Sequence, residues 1–352
     1  MMSFFPWLER IDPGMRRRIK GLRLVTAYGL GTALGTLRDV TGALPGAASL
    51  GSLAGGFALW ASVSESRATR GESCRDLALL CAAAALGAAM QLTLSPLLRP
   101  LGHAGPELVL VSGAFLVGYL RRFGLLGAGI GSQVYIGQLL AYGAHLGTED
   151  LRTIFVAGLI AALASIVPRL LGAPIEHPVT PLIPAPNEAR GRWGRSPELI
   201  MGLQAMCGAL VVVGVNGLMG LEESEWAITA CVYVVASSAA GTAERVRRRI
   251  VGTLVGVPLG LACLPLAEHA PLLVWAAAAL AMVVYAMALP ERYDIACGAF
   301  AFTLIVTLAA SGVHSVPLLA ARAWETLLGG ALGWAAAMFI LPLRPSRDAL
   351  HI

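Results

Sequence analysis

Twelve apolar stretches recur along this chain, each closed by arginine, proline or a short polar loop. They fall at about 22 to 38, 50 to 64, 76 to 98, 107 to 120, 123 to 146, 151 to 168, 198 to 220, 226 to 241, 250 to 267, 271 to 289, 294 to 312 and 317 to 342. Most approach the twenty or so residues that cross a hydrocarbon core of about 30 Å. Hydrophobic residues make up 57% of the chain and charged residues 13%, with mean hydropathy +0.72. A soluble domain is charged at about 25% of its positions, so the expected fold class is all-α, a polytopic membrane helix bundle of about twelve spans.

The densest charge lies just before the ninth stretch, where Glu244, Arg245, Arg247, Arg248 and Arg249 lead into Ile250 to Gly256. A weaker copy, Glu72, Ser73, Cys74, Arg75 and Asp76, stands about 172 residues earlier, close to half the chain length. The four arginines therefore read as topology anchors at the start of corresponding spans. Placing both termini in the cytoplasm puts 22 of the 26 basic residues on the inner side, leaving only Arg38, Arg99, Arg152 and Arg322 outside. Basic residues favour the cytoplasmic side of short loops, so this distribution predicts an even number of spans.

Residues 171–197 hold Pro174, Pro178, Pro181, Pro184 and Pro186 with three arginines, a semi-extended cytoplasmic linker by composition. The expected organisation is a six-span repeat over 1–170 with an interfacial N-terminal segment, the linker 171–197, a second six-span repeat over 198–343, and a cytoplasmic tail over 344–352. Six is an even number, so the halves share one orientation and form a parallel repeat. Arg122 and Phe123 correspond to Arg292 and Tyr293, and Arg152 to Arg322.

Several chemistries have no residues to carry them. Lys20 is the single lysine, which removes a Walker phosphate loop and an intramembrane Schiff base. No HExxH or GxSxG motif occurs, and the six cysteines show no metal-ligand spacing. The chain is read as a non-enzyme without cofactor, metal or nucleic-acid partner, moving its substrate without ATP.

Ionisable groups inside a membrane are costly and mark function. Arg322 and Glu325 stand three apart on one face of the last span; they read either as an ion pair that releases its arginine to an incoming carboxylate or as a structural pair at the outer interface. Arg38 is a candidate anion contact and Asp39 a proton-coupling acid, against simple snorkelling at the interface. Gln133, Tyr135, Gln138 and Asn216 are candidate substrate contacts, against interhelical hydrogen bonding. Gln133 and Tyr135 follow Gly127, Gly129 and Gly131, which are expected to loosen the fifth span and expose backbone amides. The histidines His103, His145, His269 and His314 read as outer loop residues.

With the repeat, "RRRIVGTLVG" after Glu244 and "RAWETLLGG" from Arg322 to Gly330, the chain resembles the fusaric acid resistance and aromatic acid exporter family, related to plant aluminium-activated malate transporters. The resemblance is best over residues 225 to 342, and the first half matches through "SESRATRGESCRD" and its spacing. It implies export of small organic anions, often aromatic carboxylic acids, from the bacterial inner membrane, in some members with a periplasmic adaptor protein. The linker of fewer than thirty residues leaves no room for the large soluble domain of longer members. The readings left open are gradient-coupled export, a passive organic-anion channel and a non-transporting membrane scaffold, in a monomer or a homo-oligomer.

Overall fold

The computed structural model describes residues 12, 15–37, 47–67, 69–172, 196–221, 224–289, 291–310 and 316–343. Among them every regular element is helical. Twelve helices of eleven residues or more are present: α1 Arg16–Thr36, α2 Ala47–Ser64, α3 Arg70–Leu98, α4 Leu108–Tyr119, α5 Gly124–Gly143 and α6 Leu151–Leu171, then α7 Pro197–Met219, α8 Ser224–Val234, α9 Ala239–Ala262, α10 Pro271–Ala288, α11 Tyr293–Ala310 and α12 Val316–Phe339. Each overlaps one of the apolar stretches, although α8 ends before the eighth stretch does and α9 begins at Ala239, inside that stretch and well ahead of the ninth; a short helix, Leu264–His269, links α9 to α10.

The helix ends follow local chemistry. Ser196 caps α7 by accepting the Leu199 amide, Pro197 and Glu198 occupy its first turn, and Gly220 closes it with φ at 67°. Ser238 caps α9 through the Gly241 amide. The turn at Leu120–Phe123 ends in Gly124 at φ 75°, a left-handed backbone that suits glycine. It folds α5 back along α4, so that a Cβ on Gly131 would strike the Leu116 carbonyl and one on Gly113 would strike Gln138.

Five segments of the described residues are long and apolar enough to cross a membrane: Arg70–Leu101, Gly105–Gly143, Thr148–Leu171, Pro197–Met219 and Pro271–Ala288. The second of these is the α4–α5 hairpin.

In the first part of the chain α1 packs on α2 and α6, α2 on α6, α3 on α5 and α6, and α4 on α5. In the second part α7 packs on α8 and α12, α8 on α12, α9 on α11 and α12, and α10 on α11. Two seams join the parts, α4 against α7 and α1 against α10. Small residues make these crossings close: Gly118 meets Gly202 across the first seam, and Gly21 meets Val283 across the second. Gly252 and Gly256 bring α9 onto the backbone of α11 at Gly298. One apolar core belongs to the first part alone, with Leu50, Phe57, Leu80 and Ile154. Another straddles the parts, joining Leu110, Val117 and Tyr135 to Val212, Ile228 and Cys231.

One end of the bundle gathers the interhelical arginine contacts. Arg17 of α1 pairs with Glu291 at 2.6 Å, Arg248 of α9 donates to the Glu291 carbonyl, and Arg245 donates to the Val235 carbonyl. Leu343, beyond α12, packs beside Val235. The start of α1 and the end of α12 therefore lie at the same end of the molecule.

Candidate functional site

Within the straddling core, α5 and α8 run antiparallel and place polar side chains opposite one another along their length. At one end Tyr142 donates to Glu107, which also accepts from Ser224 at the start of α8. Midway, the fully buried Tyr135 shares a 2.8 Å hydrogen bond with Thr229, whose hydroxyl donates to the Glu225 carbonyl. Further along, Ser132 and Tyr233 share a 2.7 Å hydrogen bond, and the Tyr135 and Tyr233 rings meet edge to face at 5.9 Å. The result is a column of hydroxyl groups between the two parts of the chain.

Arginines close the other end of the column. Arg121, in the turn between α4 and α5, and Arg249 of α9 both lie within electrostatic reach of Tyr233, and Arg245 bears on Arg121. Arg249 Nη1 makes only a long 3.5 Å contact with the Tyr293 hydroxyl, and its buried Nε has no hydrogen-bond partner. A guanidinium with an open N–H is a ready donor to a carboxylate. Helical phase explains the placement: positions 245, 249, 252 and 256 lie on one stripe, and the glycines of that stripe press against α11.

Toward the carboxylate end of the column, where Trp226 follows Ser224 on α8, the parts of the chain meet through aromatic rings. Trp60 of α2 and Trp226 of α8 both approach Phe300 of α11, at 5.5 and 6.3 Å, and Tyr285 of α10 completes the group at 6.2 Å from Trp60. All four rings are half-buried. A cluster of aromatic rings suits a flat apolar ring.

The candidate residues read from the sequence are dispersed. Tyr135 lies in the column. Asn216 of α7 sits at its carboxylate end, donating to Glu107 at 2.7 Å and to Ser224 at 3.2 Å. Gln133 turns away to donate to Ser64 of α2, and Gln138 donates to Ser112 of α4. Their Oε1 atoms are buried without hydrogen-bond partners. Glu325 is fully buried in α12, and the side chain of Arg322 lies outside the described residues, as do Arg38 and Asp39. Helix α5 runs unbroken through Gly127, Gly129 and Gly131; Gly127 and Gly131 admit carbonyls of the preceding helix and turn, and Gly129 admits Leu80.

Among the anchors, Arg247 and Arg248 bind Glu244 at 2.9 and 2.6 Å. Those hydrogen bonds pull the Glu244 carboxyl down to about 2. Asp76 holds the Arg67 guanidinium above its usual range through a 2.7 Å contact. An open cleft on the outer surface is lined by Glu244, Arg247, Arg248, Val251, Arg292 and Asp294, and a polar nook involves Lys20, Glu65 and Arg169. Neither touches the column. Glu107, Tyr233 and the Trp60, Trp226 and Phe300 rings had no sequence motif to mark them.

A family described as fusaric acid resistance protein-like matches residues 208–336. Among curated proteins and among solved structures, none matches the chain. The matched residues run from α7 into α12 and include Tyr233, Arg245, Arg249, Tyr293 and Phe300. With its apolar helices, the match makes this a multi-pass membrane protein.

Proposed function

We propose that this chain, a fusaric acid resistance protein-like family member by its match over residues 208–336, is a membrane exporter of small organic anions, aromatic carboxylic acids foremost. The observation that carries this reading is one column of hydroxyls with Arg249, whose buried Nε has no hydrogen-bond partner, at one end and a set of half-buried aromatic rings further along it. The carboxylate of the substrate meets the guanidinium first, its ring meets Trp60, Trp226 or Phe300 further along, and the hydroxyls of Tyr233, Ser132, Tyr135 and Thr229 replace its hydration along the seam. Arg121 and Arg245 raise the local anion concentration at the arginine end.

The reading carries an architecture. Twelve spans form two parallel six-span repeats, with both termini in the cytoplasm of a bacterial cell and the chain in its inner membrane. Helix pairings that recur at a step of six, and seams that exchange α4 and α7 for α10 and α1, support the repeat. The arginine-rich end then faces the cytoplasm, in keeping with the basic-residue rule, and substrate enters there. Arg322 and Arg38 remain candidate substrate contacts, and Glu325 and Asp39 candidate coupling or ion-pair groups. Coupling to an ion gradient accounts for uphill export without ATP. A periplasmic adaptor and a second copy of the chain are candidate partners.

The test is a resistance panel of toxic aromatic carboxylic acids in cells with and without the chain, followed by flux in proteoliposomes. Saturable flux that follows a gradient supports export. Anion current at all voltages without a coupling ion would turn the reading to a channel, and no flux or resistance across the panel would turn it to a scaffold.

A further inference from the structure

We propose that Glu107, at the carboxylate end of the column, is the group that takes and releases the coupling proton. Glu107 is 1% exposed. Its Oε1 accepts from Tyr142 at 2.8 Å, from Asn216 at 2.7 Å and from Ser224, whereas its Oε2 is buried with no hydrogen-bond partner. A buried polar atom is normally satisfied, and a buried carboxylate is normally paired with a cation or neutralised by a proton. No cation pairs with Glu107 among the described residues.

The groups around it are accounted for. Helix α5 supplies Tyr142, α7 supplies Asn216, and α8 supplies Ser224 and Glu225, which also bears on Tyr142. His103, in the segment before α4, is held on the Asn216 carbonyl at 3.0 Å. Gln91 of α3 donates to the neighbouring Pro106 carbonyl at 3.1 Å. Oε2 is thus the oxygen of Glu107 on which a proton can sit without displacing a hydrogen bond.

The consequence is mechanical. The three donors come from three helices on both sides of the seam, so ionised Glu107 ties α4 and α5 to α7 and α8. A hydronium ion at this end transfers its proton to Oε2, leaving water and a neutral carboxylic acid. Oε1 then becomes a weaker acceptor for Asn216, Ser224 and Tyr142, and the tie loosens. When Oε2 gives the proton back to solvent, the carboxylate and its three bonds return. No other bond changes.

Coupling rests on the transporter reading, so the experiment has one arm that needs transport and one that does not. The full chain is reconstituted with 4-hydroxybenzoate as probe and a trapped pH dye. In Glu107→Gln, proton-driven flux and dye response should fall by about tenfold or more, within the usual span of coupling between sites, while exchange of labelled for unlabelled probe stays near the unaltered rate. Equal loss of both, or proton-driven flux unchanged, overturns the proposal. In the second arm, infrared difference spectra between acidic and neutral solution should contain a carboxylic acid C=O band that Glu107→Gln lacks, whether or not the probe moves. Identical spectra overturn the proposal independently of the transporter reading. Should Glu107→Gln not fold, Ser224→Ala removes one donor to the ionised form and should move the pH midpoint of that band upward; an unmoved midpoint counts against the assignment.

Discussion

Gly118 and Gly202 meet backbone to backbone where α4 crosses α7, and a Cβ on Gly118 would land on the Gly202 amide. This contact sets how closely the two parts of the chain approach, and through it the width of the α5–α8 column beside it.

Gly118→Val should therefore force the seam apart. Overpacking of a close crossing costs about 1–3 kcal/mol, and the thermal unfolding midpoint in detergent should drop accordingly. Gly29 is the control, since a Cβ there meets nothing within 4 Å. Gly29→Ala should leave the midpoint unchanged or raise it, by up to about 1 kcal/mol of helix propensity.

Arg249 and its neighbours in the arginine run should separate cleanly. A charge-assisted hydrogen bond is worth about 1.5–3 kcal/mol, so Arg249→Gln should raise the half-saturating substrate concentration by roughly tenfold to a hundredfold. Arg247→Gln, whose guanidinium is exposed and bound to Glu244, should leave that concentration unaltered. Initial rates over a range of substrate concentrations, at matched protein levels, decide between a site role and an anchoring role for Arg249.

The ring group predicts selectivity. Trp60→Leu and Trp226→Leu each remove a face beside Phe300, and aromatic pairs contribute about 0.5–1.5 kcal/mol beyond their area. Preference for aromatic over aliphatic carboxylates should fall roughly twofold to tenfold in each variant, read as a ratio of competition constants. An unaltered ratio would place the substrate elsewhere.

The Glu244 clamp predicts a window of pH independence. Its carboxyl lies at about 2 in the folded chain against an ordinary 4.5, because Arg247 and Arg248 donate to it. A depressed carboxyl contributes stability that is complete above the ordinary value and lost as pH falls toward about 2. The difference in unfolding midpoint between the unaltered chain and Glu244→Gln should stay constant from about pH 5 to pH 8 and shrink only in stronger acid. Any pH dependence of flux in the neutral range then has another source.

The helices were legible because each is an apolar run closed by its own punctuation, and the turn at Arg121 and Arg122 was legible because two arginines interrupt such a run. Chemistry was harder to read. Glu107 stands at the edge of an apolar run, where a carboxylate reads as an interface residue; only the folding of α7 and α8 over it makes it buried. Arg245 and Arg249 resembled Arg247 and Arg248, and the signal that separates the two pairs is helical phase with Gly252 and Gly256. The Trp60, Trp226 and Phe300 group joins positions far apart in sequence, a relation that no local pattern contains. Asn216 was singled out as a polar residue in an apolar helix, and its partner was invisible because it lies across the seam.

The two seams also set a schedule for biosynthesis. Helix α4 finds its Gly118 partner only after α7 has been made, and α1, the first of the described helices to leave the ribosome, meets Val283 only when α10 arrives. Until then two closely packing helix faces of the nascent first half stand against lipid. Docking of one half upon the other is therefore completed only once α10 has been made, and a ribosome stalled between α7 and α10 leaves a chain with one seam able to close and one still open.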